Sequence, residues 1–316
     1  MNYQMNTTNK SFLEVQHLLE MKGVEDNLFM MSLLNPNLLD VDIEDPKLDM
    51  ETDTSIIFES RNNIWYLLRE VLKVPKMGGG FEPVNINIAK LAQLFLYLQG
   101  YSTWVTAPRQ TGSTTFTNII STLHTKDKNP LIVARDLSDS TVAGSICSPT
   151  KCHDTLLWHL KTKKARLYTQ LSLGIINNRF FAFDKDLMTN ASPEQMKQIA
   201  QLPISSIHFT DAEYVENIDN IYYRLRENGF NGPFLFESVI NDDADKTGAL
   251  TLLEKECVEW TTSMFDMPPQ DKSKIYHIQY DYEELGYKEA EWFERMVKVL
   301  NNDWDVIRRE VLLQRK

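Results

Sequence analysis

Apolar residues recur at helical spacing between residues 10 and 34 (Phe12, Val15, Leu18, Leu19, Met21), which predicts one or two short helices. A second helical block, "RNNIWYLLREVLKV", ends before Pro75. "PKMGGGFEPVNIN" reads as a loop, because three consecutive glycines are hard to hold in a regular element. "IAKLAQLFLYLQG" predicts another helix, closed by Gly100. From Tyr101 to about Asn241 the texture changes: the short β-branched or aromatic runs "STWVT", "PLIVARD", "RFFAFD", "ISSIHFTD" and "GPFLFES" alternate with helical stretches. Strands spaced by helices in this way predict βαβ units and a mostly parallel sheet buried on both faces. The tail from Tyr282 onward reads as amphipathic helix, with Trp292, Phe293, Met296, Val299 and Leu300 at core spacing.

Charge changes this picture in one region. The net charge is −11, from 33 Lys+Arg against 44 Asp+Glu, which tells against a chain whose whole surface grips nucleic acid. Eight of the acidic residues fall between Asn35 and Glu59 with only Lys47 to balance them, so this stretch reads as an exposed acidic connector. The basic cluster Lys161, Lys163, Lys164 and Arg166 reads as a solvated face, with contact to a DNA backbone as the other reading. No apolar run approaches the roughly 20 residues of a membrane span, and the polar N-terminus lacks the apolar core of a signal peptide, so a cytoplasmic protein without membrane contact is expected. Cys147, Cys152 and Cys257 are too few for a disulfide framework, and Cys147, Cys152 and His153 lack a fourth partner at metal-site spacing.

The candidate chemistry centres on "APRQTGSTT", residues 107–115, which follows the strand-like Ser102–Thr106 and precedes the apolar "FTNIISTLH". That is the setting of a phosphate-binding loop: backbone N–H groups and a helix N-terminus face the phosphates, a lysine reaches the outer ones, and a hydroxyl meets magnesium. Gly112 and Thr114 are in place for the turn and the hydroxyl. Ser113 stands where the lysine is expected, and Arg109 is close enough in sequence to supply part of the missing charge. Such a loop needs a carboxylate at the end of a second apolar strand, and "SSIHFTDAEYV" provides it. Either Thr210 takes the magnesium position, or the register slides by one and Asp211 holds the metal with Glu213 as base; the sequence leaves both open.

Taken together, these stretches resemble the ATPase domain of the large terminase subunit, the DNA-packaging motor of tailed bacteriophages, especially the large-genome type. "PRQTGSTT" resembles that family's PRQTGKTT loop, "HFTDAEYVENI" its acidic strand, and "FESVINDDADKTGAL" its coupling motif. "RNNIWYLLREVLKVP", "FEPVNINIAKLAQLF" and "HIQYDYEELGYKEAEWFERMVKVLNNDWDVIRREVLLQ" extend the resemblance over roughly residues 58–316. It implies an α/β fold of the P-loop NTPase, RecA-like type: a mostly parallel sheet flanked by helices over 58–316, after a small helical segment and acidic connector over 1–57. It also implies ATP and Mg2+ as cofactors. Arg109, Gln110, Thr111, Gly112, Ser113, Thr114 and Thr115 would form the loop, with Asn85 and Gln93 around the adenine, Thr114 and Asp211 on the metal, Arg109, Asp211 and Glu213 in catalysis, and Ser238 in coupling. The implied partners are double-stranded DNA, the portal protein, a small terminase subunit or a separate nuclease or terminase chain, and further copies of itself, in the cytoplasm of an infected bacterium; no nuclease domain is expected in this chain.

The departures are lysine to Ser113, Asp-Glu to Thr210-Asp211, and Ser-Thr-Pro to Ser238-Val239-Ile240. Each lost charge near a transferring phosphoryl group commonly costs ~10²–10³ in rate. Two outcomes follow: a translocating ATPase in which Arg109 compensates, or a pseudo-ATPase that keeps the fold for assembly. A third, an unrelated P-loop scaffold, requires a sheet order that fails to bring Thr210 to the loop.

Overall fold

A computed structural model describes residues 3–4, 6–76, 79–109, 111–123, 129–134, 158–175, 181–239, 247–287 and 290–314. The chain divides into two compact units, one of Met1–Asn87, Gly144–Asn178 and Phe265–Met267, the other of Ile88–Ala143, Arg179–Met264 and Pro268–Lys316.

The first unit is largely helical, with two small antiparallel ribbons: β1 (Tyr3–Gln4) on β2 (Ser32–Leu33), and β3 (Lys73–Pro75) on β4 (Phe81–Pro83). Its first helix, Lys10–Met21, buries Phe12, Val15 and Leu19, as the apolar spacing predicts. The stretch 35–59 keeps most of its acidic side chains exposed, as expected of a connector, but it is anchored within its unit. Leu38, Ile43 and Ile56 are buried, and Met50–Asn62 is a helix. Its start is fixed by Asp49, whose carboxylate accepts from the Thr52 amide at 2.7 Å, with Glu51 and Asp53 in the first turn facing the positive end of the helix dipole. Glu59 is fully buried yet fully used, accepting from the Leu34 and Asn35 amides at 2.9 Å each and from Asn63 Nδ2 at 2.7 Å.

The excess acidity is answered from within the same unit. Lys164 donates to the Asp45 carbonyl, Arg166 pairs with Asp53 and donates to the Asp49 carbonyl at 3.3 Å, and His159 lies 2.7 Å from Glu44. Lys161 sits over the rings of Trp158 and Tyr168 at 5.8 and 5.6 Å. The basic cluster therefore meets the acidic stretch of its own chain, a pairing across more than a hundred residues that local reading of either segment misses.

The second unit holds a seven-stranded sheet: β5 (Ser102–Thr106), β6 (Asn129–Ala134), β7 (Phe181–Asp184), β8 (Ile204–Phe209), β9 (Phe234–Ser238), β10 (Cys257–Glu259) and β11 (Ile275–Gln279), in the order β10-β11-β5-β9-β8-β6-β7. Every pairing in it is parallel. Parallel strands need crossovers, and the intervening helices cover the sheet, so the central strands are buried except at Ser205 and Ser238, which are half-buried. This is the α/β arrangement of a P-loop NTPase. The five strands read from the sequence all form; β10 and β11 lie beyond them in the chain and add the far edge.

Because successive strand residues face opposite sides, β9 divides its chemistry between the two faces. Phe236 stacks between Trp104 and Phe209, with centroids 4.8 and 5.2 Å away, in a core shared with Ile218, Ile221, Tyr222 and Leu225 of the helix Ile218–Glu227. Glu237 faces the other side, toward the helix Ser113–Leu123, where Thr117 bonds it. The tail is two helices, Ala290–Val299 and Trp304–Glu310, rather than one: Asn301 and Asn302 take φ of 54° and 58°, and Asp303 caps the second through the Asp305 and Val306 amides. Trp292 and Met296 are core as expected, but Val299 is 50% exposed because the break turns it away from Ile307 and Val311. Among the described residues no helix is long and apolar enough to cross a membrane.

Truncating Phe236 to Ala removes the ring between two others in a site closed on every side, and is expected to destabilise the protein by about 3–5 kcal/mol. Val299→Ala, at an exposed position, should stay within about 0.5 kcal/mol. Urea denaturation of both variants checks this; equal losses would contradict the packing described.

Candidate functional site

The C-terminal ends of β5, β9 and β8 carry the residues picked out by sequence. β5 leads through Ala107, Pro108 and Arg109 to Thr111 and Gly112, and the helix Ser113–Leu123 begins at once. The turn depends on Gly112, at φ +77°, a conformation that side-chain-bearing residues rarely adopt. Thr111 braces it from inside: the buried hydroxyl donates to the Pro108 carbonyl at 2.8 Å and lies 3.2 Å from Ser113 Oγ, while the Thr111 carbonyl accepts from Tyr287 at 3.1 Å. Thr115 is exposed, Gln110 lies outside the described residues, and Thr114 is the second residue of the helix.

Arg109 is committed to the C-terminal helix. Its Nε lies 2.6 Å from Glu310 Oε2, and its backbone N–H donates to the Glu310 carbonyl at 2.9 Å. Burial works against the guanidinium charge, but Glu310, Asp211 and, more weakly, Glu213 outweigh it and hold its pKa above the ordinary arginine value. The acidic strand end thus lies within electrostatic reach of the loop, although β9 intervenes between β5 and β8.

Thr210 closes β8 structurally. Its N–H and its hydroxyl both address the Val133 carbonyl, at 3.0 and 3.3 Å, and the side chain is buried. Asp211 is the first carboxylate past the strand, in the left-handed region at φ 48°, and Glu213 follows, buried, in a short turn. Ser238 ends β9 beside the loop. It accepts from Trp104 Nε1 at 2.8 Å and lies 3.2 Å from Thr106 Oγ1, which in turn is 2.9 Å from His277 Nε2 of β11. Burial pushes the His277 pKa down to about 4, so this row is held by a neutral imidazole at pH 7.

Beneath the loop, on the other face of the sheet, lies a buried polar cluster that sequence reasoning missed. Glu237 accepts from Thr117 Oγ1 at 2.5 Å and approaches His208 Nε2 at 3.4 Å. Thr117 also lies 3.2 Å from Gln93 Oε1, so Gln93, expected at an adenine, is buried in this cluster. Lys90, in the first turn of the helix Ile88–Leu98, is 6% exposed, and its Nζ lies 3.4 Å from where a Cβ on Gly112 would stand. Burial lowers its pKa to about 8, against the pull of Glu237. A signal existed: Lys90 and Gln93 interrupt an otherwise apolar helix, and Glu237 an otherwise apolar strand, and polar groups so placed must find buried partners. Asn85 belongs to the first unit, where it is exposed. Cys147, Cys152 and His153 lie outside the described residues; Cys257 is a free thiol whose pKa burial raises to about 12.

No protein-family model matches the chain, and no curated protein does. Among solved structures, the large terminase of a thermophilic bacteriophage is similar over 71% of this chain and 52% of that one, at 7% identity and a TM-score of 0.41. The complex of the same terminase with ATP-γ-S gives 72% and 52%, at 9% identity and 0.38. A variant of the ATPase domain of the Thermus phage P74-26 large terminase matches over 72% of this chain and 94% of that one, at 10% identity and 0.41. The chain spans about half the length of the first of these terminases.

Proposed function

We propose that this chain binds a nucleoside triphosphate at residues 107–115 and serves as a terminase-like subunit of a phage DNA-packaging machine, acting on double-stranded DNA with the portal protein and other terminase chains. The observation that carries the reading is the placement of two motifs: a glycine turn that opens a helix at the end of β5, and Asp211 and Glu213 at the end of β8, close enough for their charges to act on Arg109. A triphosphate suits the loop. Gly112 leaves room that a side chain would fill, the helix N-terminus favours negative charge, and an ammonium stands 3.4 Å from that space.

Magnesium would be held by Thr114 and Asp211 together with the phosphates. Among the described residues no group of three His, Cys, Asp or Glu gathers as a metal cage, which agrees with a cation that leans on one carboxylate and its substrate. Bound there, it would neutralise phosphate charge. The chain's own part is to orient and to move a proton. Glu213 is the group placed to take one from an attacking water, and Ser238, tied to Thr106, would relay the state of the loop along β9.

A second reading, weak or absent hydrolysis, is favoured by the Arg109–Glu310 pair and by the protonation of Glu213. An arginine whose Nε pairs with Glu310 at 2.6 Å has part of its charge answered within the protein before a phosphate arrives. Burial, with the charge of Asp211 adding to it, pushes the Glu213 pKa up to about 8 against the opposing amides of Glu213 and Val239 and the charge of Arg109. At pH 7 the carboxyl is therefore mostly neutral and a poor base.

Turnover of MgATP by the full chain should be slow at pH 7 and rise through pH 8 as Glu213 ionises, and Glu213→Gln should flatten that profile and lower kcat by roughly 10²–10⁴. Steady-state phosphate release between pH 6 and 9 checks both; a wild-type profile that Glu213→Gln reproduces would remove Glu213 from the chemistry. Stability gives an independent reading of the same proton. The native carboxyl holds a proton that the unfolded chain has lost between about pH 4.5 and 8, so this group makes stability fall as pH rises through that window and level off above it. Glu213→Gln should remove that slope and raise Tm at pH 8 by several degrees, roughly what a few kcal/mol gives. An unchanged Tm–pH curve would contradict the raised pKa.

A further inference from the structure

We propose that Lys90 supplies the phosphate-binding charge that the loop lacks at Ser113: the lysine is delivered from the neighbouring helix Ile88–Leu98 instead of from the loop itself. This rests on the reading of residues 107–115 as a triphosphate site and adds to it a residue that neither the motif nor its resemblance assigns.

Three observations carry it. The first is position. An ideal Cβ on Gly112 would meet Lys90 Nζ at 3.4 Å, and among the described residues no other atom beyond the loop's own neighbours comes within 4 Å of that point. The ammonium therefore stands at the glycine turn, in the space that a side chain there would obstruct. The second is the state of its surroundings. Lys90 is 94% removed from solvent, counting from its 6% exposure, so its charge acts through little water and is worth more than a surface charge. Glu237 pulls on that charge from the same buried cluster, where one of its oxygens accepts from Thr117 at 2.5 Å and the other lies 3.4 Å from His208 Nε2. The third is elimination within the loop. Arg109, the cation that sequence offers as a substitute, has its Nε paired with Glu310 at 2.6 Å.

A buried lysine with a lowered pKa is also well suited to a dianionic or trianionic ligand. Burial makes its charge costly, and a phosphate oxygen brought to Nζ forms a charge-assisted hydrogen bond that offsets the cost. Affinity would then fall on the phosphates and not on the base or sugar.

The test is calorimetric binding of MgATP, and separately of adenosine, to the full chain as wild type, Lys90→Met and Lys90→Met/Ser113→Lys. The expected pattern is that Lys90→Met weakens MgATP at least roughly tenfold, the loss of one hydrogen bond to a charged group, while adenosine is unaffected. Returning a lysine to the loop in the double variant should restore most of the affinity. A Lys90→Met chain that binds MgATP like the wild type overturns the proposal, as does weakened binding that Ser113→Lys leaves unrepaired. A wild type that binds no MgATP overturns the nucleotide reading itself and this role with it, a pattern distinct from the other two. If Lys90→Met fails to fold by circular dichroism because Glu237 is left with too little compensation, Lys90→Met/Glu237→Gln, which removes both charges, takes its place with the same outcomes.

Discussion

A carboxylate at the end of a central parallel strand is the constraint around which this site is organised. β9 lies between β5 and β8 and is covered on both faces, so Glu237 has no access to water and must be answered by protein groups. Thr117 answers from the helix that follows the loop, His208 from the adjacent strand, and Lys90 from the helix that precedes β5. Each partner comes from a different element. One acidic side chain thereby ties together the loop's helix, its flanking helix and the acidic strand, and sets the platform beneath Gly112.

Phe236 and Ser238 share the face of β9 opposite Glu237. Phe236 holds the aromatic core with Trp104 and Phe209, which makes the strand rigid, while Ser238 at its end touches Trp104 and Thr106. Rigid strands presenting short polar ends are how an α/β sheet places chemistry at its C-terminal edge. Against that fixed edge, the charges of the site are largely neutralised within the protein: Arg109 by Glu310, Glu213 by its own proton, Lys90 in part by Glu237. On the proposed reading, hydrolysis at neutral pH is limited by how far Glu213 ionises.

The elements were legible where one local pattern fixes them. "STWVT" and "FLFES" are strands because apolar and β-branched residues run without interruption, and Gly112 and Gly100 mark turns because both need a positive φ. What charge counted along the chain cannot show is that the acidic stretch meets partners more than a hundred residues away, Lys164 and Arg166. The tail was read as one helix because amphipathic spacing continues across Asn301 and Asn302, whose positive φ breaks it. In the site, the motif residues are visible from the sequence, and within the loop itself Arg109 is the only cation that could stand in for the missing charge. Lys90 shares no motif with Ser113; it becomes relevant only when packing sets one helix beside another.

Hydrogen–deuterium exchange on the full chain, with and without MgATP, tests the central claim most directly. The account predicts new protection in 107–117 and 88–93, where the loop, its helix and Lys90 would close on the phosphates, with a further gain near Asp211 where the metal would sit. Protection absent from both at saturating MgATP, or appearing only elsewhere in the chain, would contradict it.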